Sequence, residues 1–306
     1  MRKLRKLLSI AAICAFVLPL AACGAALPAE TDTEDETASA EEMETDGMES
    51  ESSEDSLFEP FTAIDSDDCE VVIEGINPDG VGGYLVEARL LNNTKHKNLT
   101  FFISCAAVNG VEIDPQWEST VIAGYTSDEE IWFDSEDLDE AGIVEVTDIQ
   151  LFFRVYDPDD PDADYIADED FHIYPLGEEA VEEYVREPRK TDTVLLDNDD
   201  IAVIALDCYE NELDGYSVDL YIENRSERDL MVSADNVFVN SSMIDPWWSV
   251  IVHAGNSEYS RISWSDAELE DNDVTEVEEI GFDLDVIDLD DESEDSLYNE
   301  KVTLNP

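Results

Sequence analysis

Positive charge is what this chain most lacks: 15 Lys and Arg stand against 79 Asp and Glu in 306 residues, a formal charge of −64. Such a surface repels phosphates and anionic lipid heads, which excludes nucleic-acid binding. Cationic partners remain: divalent metals, a basic protein or peptide, or a cell-wall component. The plainer reading is that the charge keeps a surface protein soluble and monomeric. Histidine is scarce, with only His96, His172 and His253, and none sits beside a nucleophile in sequence. There is no phosphate-cradling glycine loop, no CxxC pair and no HExxH, so a non-enzyme is expected. Cysteine is scarce too. Apart from Cys14 and Cys23, only Cys69, Cys105 and Cys208 occur. An odd set does not read as a disulfide framework but as small apolar fillers, with Cys69–Cys105 the one bridge left open. The long apolar run, Leu7–Leu20, is too short for a membrane span.

That run follows the basic cluster Met1-Arg2-Lys3-Leu4-Arg5-Lys6 and ends in Leu20-Ala21-Ala22-Cys23-Gly24. Basic cluster, apolar run and small residues in that order read as a secretion signal. With a cysteine at the first mature position, the segment resembles the lipobox of bacterial lipoproteins. The resemblance implies a signal peptide over residues 1–22, and a diacylglyceryl group on Cys23. Acyl chains contribute about 0.8 kcal/mol per buried methylene, so two or more anchor durably. Cleavage would leave 11 basic against 79 acidic residues, a formal charge of −68.

Residues 23–60 form the expected tether. From 24 to about 58 there is no Lys or Arg and few large apolar residues. Such a stretch cannot bury enough surface to offset ordering, so disorder is expected. A coil of about 35 residues spans roughly 30–35 Å, and self-repulsion extends it.

Beyond the tether the chain repeats itself. Ile113-Asp114-Pro115-Gln116-Trp117 recurs 131 residues later as Ile244-Asp245-Pro246-Trp247-Trp248. Val108-Asn109 recurs as Val239-Asn240, and Ala123-Gly124 as Ala254-Gly255. Upstream, Tyr84, Val86 and Asn92 match Tyr216, Val218 and Asn224, with the offset changing in the turn before Leu99. Two copies are expected, at 61–176 and 193–306, joined by a linker at 177–192 with helical character. Apolar residues alternate along 83–92, 215–224 and 280–286, the period of a half-buried strand. Strands are expected at 69–76, 83–92, 98–108, 119–123, 128–134, 146–156 and 169–175. Strands apolar on one side need two sheets that cover each other. The fold class is therefore all-β: two tandem immunoglobulin-like β-sandwich domains, each able to fold alone. Ser135 and Ser265 are expected to cap one helical turn in each copy.

Signal, acidic spacer and the repeated "NG…DP.W…AG" pattern resemble tandem-repeat surface lipoproteins of clostridia and related Firmicutes. The resemblance covers almost the whole chain and implies a lipid-anchored extracytoplasmic protein, but it brings no chemistry. Copy two departs from the pattern with Ser241 in place of Gly110.

Three functions compete. The first is a non-enzymatic binding or display module, with Trp132 and Trp247, which have no tryptophan opposite them, as its candidate contacts. Trp117 and Trp248, matched in both copies, fit the core better. The second is a calcium-dependent structural protein, because the runs containing Asp157, Asp159, Asp160 and Asp162, and Asp288, Asp290, Asp291, Glu292, Glu294 and Asp295, offer many hard oxygens. Neither run has the glycine and glutamate of an EF-hand loop. The third is an envelope hydrolase whose residues meet only in space. Cys23→Ala is expected to leave the protein unlipidated and its signal uncleaved, as read by membrane fractionation and N-terminal mass. A variant that stays on membranes after losing its signal would sink the anchor assignment.

Overall fold

The computed structural model describes residues 58–182, 184–211, 215–291 and 295–306. The signal, Cys23 and the tether up to residue 57 lie outside them, as do Glu183, Glu292 and Glu294. The fold is all-β, as the alternation predicts. The first copy supplies β1 (Phe61–Asp65), β2 (Cys69–Gly80), β3 (Gly83–Asn92), β4 (Leu99–Val108), β5 (Val111–Glu112), β6 (Glu118–Val121), β7 (Thr126–Asp134), helix α1 (Ser135–Ala141), β8 (Ile149–Tyr156) and β9 (Ala167–Ile173). The second supplies β10 (Thr193–Asp197), β11 (Ile201–Asn211), β12 (Gly215–Asn224), β13 (Leu230–Val239), β14 (Ser242–Met243), β15 (Ser249–Val252), β16 (Ser257–Trp264), helix α2 (Asp266–Asp271), β17 (Ile280–Asp288) and β18 (Ser296–Leu304).

Each copy has its own buried cluster. Tyr84, Val86, Ala88 and Leu90 point from β3 into one, against Phe101, Leu151 and Phe153 of the facing sheet. Tyr216, Val218, Leu220 and Ile222 point from β12 into the other, against Leu284 and Val286. Each such large apolar side chain contributes about 1.5–3 kcal/mol on burial. The sheets, however, do not stay within the copies. One sheet runs β1-β2-β3-β7 and another β14-β13-β17-β18, with β15 on β13. The third has nine strands, in the order β10-β11-β12-β16-β5-β4-β8-β9, with β6 on β4. It joins a sheet of copy two to a sheet of copy one through a single parallel pair, Ser257 with Val111.

The repeated polar residues hold the turns. Asn92 is buried and donates from Nδ2 to the carbonyls of Lys97 and Val121, both at 2.8 Å. Asn224 does the same to Arg228 and Val252 at 2.7 and 2.9 Å. Asn109 and Asn240 both adopt the left-handed conformation, φ 51° and 54°, and their side chains tie down the segments before β8 and β17. Gly110 is also left-handed at φ 81°, whereas Ser241 is not. The two hairpin turns therefore differ where the sequences differ, since only glycine enters that region freely.

Two expectations need correction. The 177–192 linker is not a helix: only Glu178–Ala180 form one 3-10 turn. Clustered acidic residues without basic partners oppose a helix there. The linker is instead pinned by side chains. Tyr184 Oη donates to the Ala141 carbonyl at 2.6 Å and accepts from Tyr259 at 2.8 Å. Arg186 pairs with Asp192 at 2.6 Å. In copy one the helix cap is Asp134, not Ser135, because its carboxylate reaches the Glu136 amide at 2.8 Å. Ser265 caps α2 as expected, in a reciprocal box with Glu268. Cys69, Cys105 and Cys208 are all free thiols, so the Cys69–Cys105 bridge that the sequence left open does not form. Cys69 is buried in the core as a filler, while the other two are half-buried.

Candidate functional site

The residues singled out from sequence go to different places. Trp117 and Trp248 pack at the rims of their cores, Trp117 against Phe153 and Trp248 with its Nε1 donating to Ser260 Oγ at 3.0 Å. The fully buried tryptophan is Trp264, which donates to the Ile244 carbonyl. Trp132 lies on β7 with 37% of its surface exposed, its ring over Gly80, where a side chain would crowd it. Trp247 is 88% exposed. It sits in the left-handed region, φ 53°, held by the Trp247 amide donating to Asp245 Oδ1 at 2.8 Å. Gln116 makes the same turn on Asp114. One turn geometry thus presents an amide in copy one and an indole in copy two. Around that end of copy two, burial together with Asp285, Asp245 and Asp283 pushes the Asp235 carboxyl up. Asp245, which holds the Trp247 turn, therefore belongs to an acidic patch.

The two acidic loops are built alike. Asp157 is buried and pairs with Lys97 at 3.0 Å, which holds its carboxyl below the usual range. Asp288 pairs with Arg228 at 3.4 Å. Each also accepts a backbone N–H two residues on, from Asp159 and from Asp290. Asp159, Asp160, Asp162, Asp290 and Asp291 point to solvent. A calcium ion ligated by Asp157 or Asp288 would compete with that basic side chain.

A group that the sequence reading did not assemble lies at the seam between the copies. Glu112, on β5, is only 7% exposed at its side chain. Its Oε1 accepts from the His253 backbone N–H at 2.7 Å and stands 3.1 Å from His253 Nδ1. Its Oε2 accepts from Cys105 Sγ at 3.4 Å. The His253 ring lies over Phe152, centroids 4.2 Å apart. Asn256 donates to Gln150, and the Ser257 N–H to the Gly110 carbonyl at 2.8 Å. Glu258 follows on β16; burial first, then Glu112 and Asp114, raises its carboxyl to about 8. Burial lowers His253, but the Glu112 hydrogen bond and charge outweigh it, and the imidazole ends up raised.

A thiol, an imidazole and a carboxylate together invite comparison with a hydrolase triad. The order is wrong for one. In a triad the imidazole stands between nucleophile and carboxylate; here Glu112 stands between Cys105 and His253. Burial first, and Glu112 next, drives the Cys105 thiol far up. A reactive cysteine needs the opposite shift. His172, the other paired histidine, contacts Asp148 at 2.8 Å, and that hydrogen bond raises it.

No family model matches the chain, and no curated protein does. Among solved structures, red sea bream transglutaminase is similar over 76% of this chain and 31% of that one, at 10% identity and a TM-score of 0.20. This chain thus spans less than a third of that protein, and a likeness so loose carries no argument.

The raised Glu258 has a consequence for stability. Its folded value of about 8 lies above the ordinary 4.5. Its favourable contribution is present below about pH 4.5 and is lost as pH rises through about 8. The raised His253 and His172 act in the same direction. In metal-free buffer the melting temperature should therefore fall between about pH 5 and pH 8, and Glu258→Gln should remove part of that fall. An identical fall in the variant would show that Glu258 does not carry the effect.

Proposed function

We propose that this chain is a lipid-anchored, extracytoplasmic, non-enzymatic binding module, and that the tip of its second copy captures a basic protein or peptide. The observation that carries this reading is Trp247: 88% exposed, on a turn fixed by Asp245, a carboxylate whose charge acts on Asp235 together with those of Asp285 and Asp283. An indole face attracts a Lys or Arg side chain, with about 0.5–1 kcal/mol at an exposed site and more when water is excluded. The surrounding carboxylates add steering toward cations. The corresponding end of copy one, Gly110 and Glu112, docks onto copy two, so this end of the fold is suited to contact. In copy two it also exposes Met243. A net charge of −64 opposes contact between like chains, which favours a monomer with a foreign, cationic partner.

A calcium-dependent structural role has less support, since Lys97 and Arg228 already occupy Asp157 and Asp288. The lipid on Cys23 and the acidic tether would place the module outside the cell and off the membrane. Fluorescence anisotropy with a labelled Lys- and Arg-rich peptide tests the tip. Trp247→Ala should weaken binding about tenfold, equivalent to about 1.4 kcal/mol, while Trp132→Ala leaves it unchanged. Equal affinity for wild type and Trp247→Ala would overturn the proposal.

A further inference from the structure

We propose that the seam between the copies is a binding site for a zinc-type divalent cation, ligated by Cys105, Glu112 and His253, and that the ion clasps the two copies together. One ligand atom from each of these residues lies within 4.8 Å of the others. Among the described residues no other such group forms, and the long acidic loops do not converge in this way. A thiolate, an imidazole nitrogen and one carboxylate oxygen are the donors that select zinc and its neighbours, whereas calcium takes oxygen alone.

The repeat supplies an independent argument. At the positions 131 residues away, Cys105 and Glu112 are replaced by Asn236 and Met243. His253 and Glu258 are replaced by Ile122 and Ser127. Two copies that share their turn residues therefore diverge at the four positions that meet across the seam. Two donors come from copy one and one from copy two, so the set exists only when the copies are docked.

The charge balance points the same way. The Glu112 side chain is only 7% exposed and Glu258 is half-buried, and no Lys or Arg pairs with either among the described residues. Among the described residues, His253 is the single basic group on Glu112. A 2+ ion would replace the thiol proton that Glu112 now accepts and the imidazole proton directed at it: metal–sulfur and metal–nitrogen bonds form as the Cys105 S–H proton and a His253 ring proton leave to solvent, with no electron transferred. The Phe152 ring under His253 walls one side of the site with an apolar surface.

Cobalt(II) is a spectroscopic probe for such a set, because a thiolate ligand gives a charge-transfer band that carboxylates alone do not. Titrating the metal-free full chain should give one equivalent of bound cobalt with that band, displaced by zinc. Cys105→Ser should abolish the band, whereas Cys69→Ser and Cys208→Ser keep it. His253→Gln should weaken binding at least about tenfold, the scale on which loss of metal-site interactions is felt. It keeps Cys105 in place should the serine variant fail to fold. Zinc should also raise the melting temperature of the wild type. Absence of the band, or a band unchanged by Cys105→Ser or by His253→Gln, would overturn the proposal.

Discussion

Glu112 is the side chain on which the arrangement of the two copies depends. Among the described residues, strand pairing joins them through one parallel pair, Ser257 with Val111. The rest is side-chain work, and Glu112 stands at its centre, accepting from the His253 amide and facing its ring. A carboxylate withdrawn from water is tolerated only when hydrogen-bonded and paired. Removing one partner from such a pair costs about 3–5 kcal/mol, because the other charge is left buried. That penalty makes the docked geometry specific: Glu112 finds both donors only when the turn before β16 lies against β4 and β8. Tyr184 adds a second fastening, linking the Ala141 carbonyl to Tyr259.

The two copies illustrate how duplication separates scaffold from contact. The turn-forming asparagines, Asn92 with Asn224 and Asn109 with Asn240, keep the same partners in both. So do the Lys97–Asp157 and Arg228–Asp288 pairs. These residues satisfy buried or turn backbone groups that any copy of the fold must satisfy. Divergence gathers at one end instead. Copy one carries Glu112 and Gln116 there and turns toward its sister; copy two carries Met243 and Trp247 and leaves them in solvent. The internal seam thus shows how that end of the sandwich meets another surface, and the free end of copy two is where an outside partner would meet it.

Much of the fold was legible because alternation of apolar residues is a direct image of a half-buried strand, as at Tyr84, Val86, Ala88 and Leu90. What escaped was short, or depended on distant residues. Strand β1 has five residues next to an acidic tether, and β5 has two. Neither length holds a period. The linker acids suggested a helix, but Tyr184 gained more from Ala141 and Tyr259, and Arg186 from the Tyr221 ring, all on the folded body. The exposed tip was partly legible, since Trp247 has Gln116 opposite it. The seam was not. Cys105, Glu112, His253 and Glu258 span half the chain and form no motif, so their meeting is a fact of docking. A position-by-position comparison of the copies would have marked all four as departures, and His253 opposite Ile122 was the visible part of that signal.

Calorimetry of the metal-free full chain tests most directly whether Glu112 couples the two cores. Coupled copies should unfold in one cooperative transition. Glu112→Ala should split it into two, as each core melts on its own set of strands. Two separate transitions in the wild type, or a single unshifted transition in Glu112→Ala, would contradict the claim that this carboxylate makes one body of two copies.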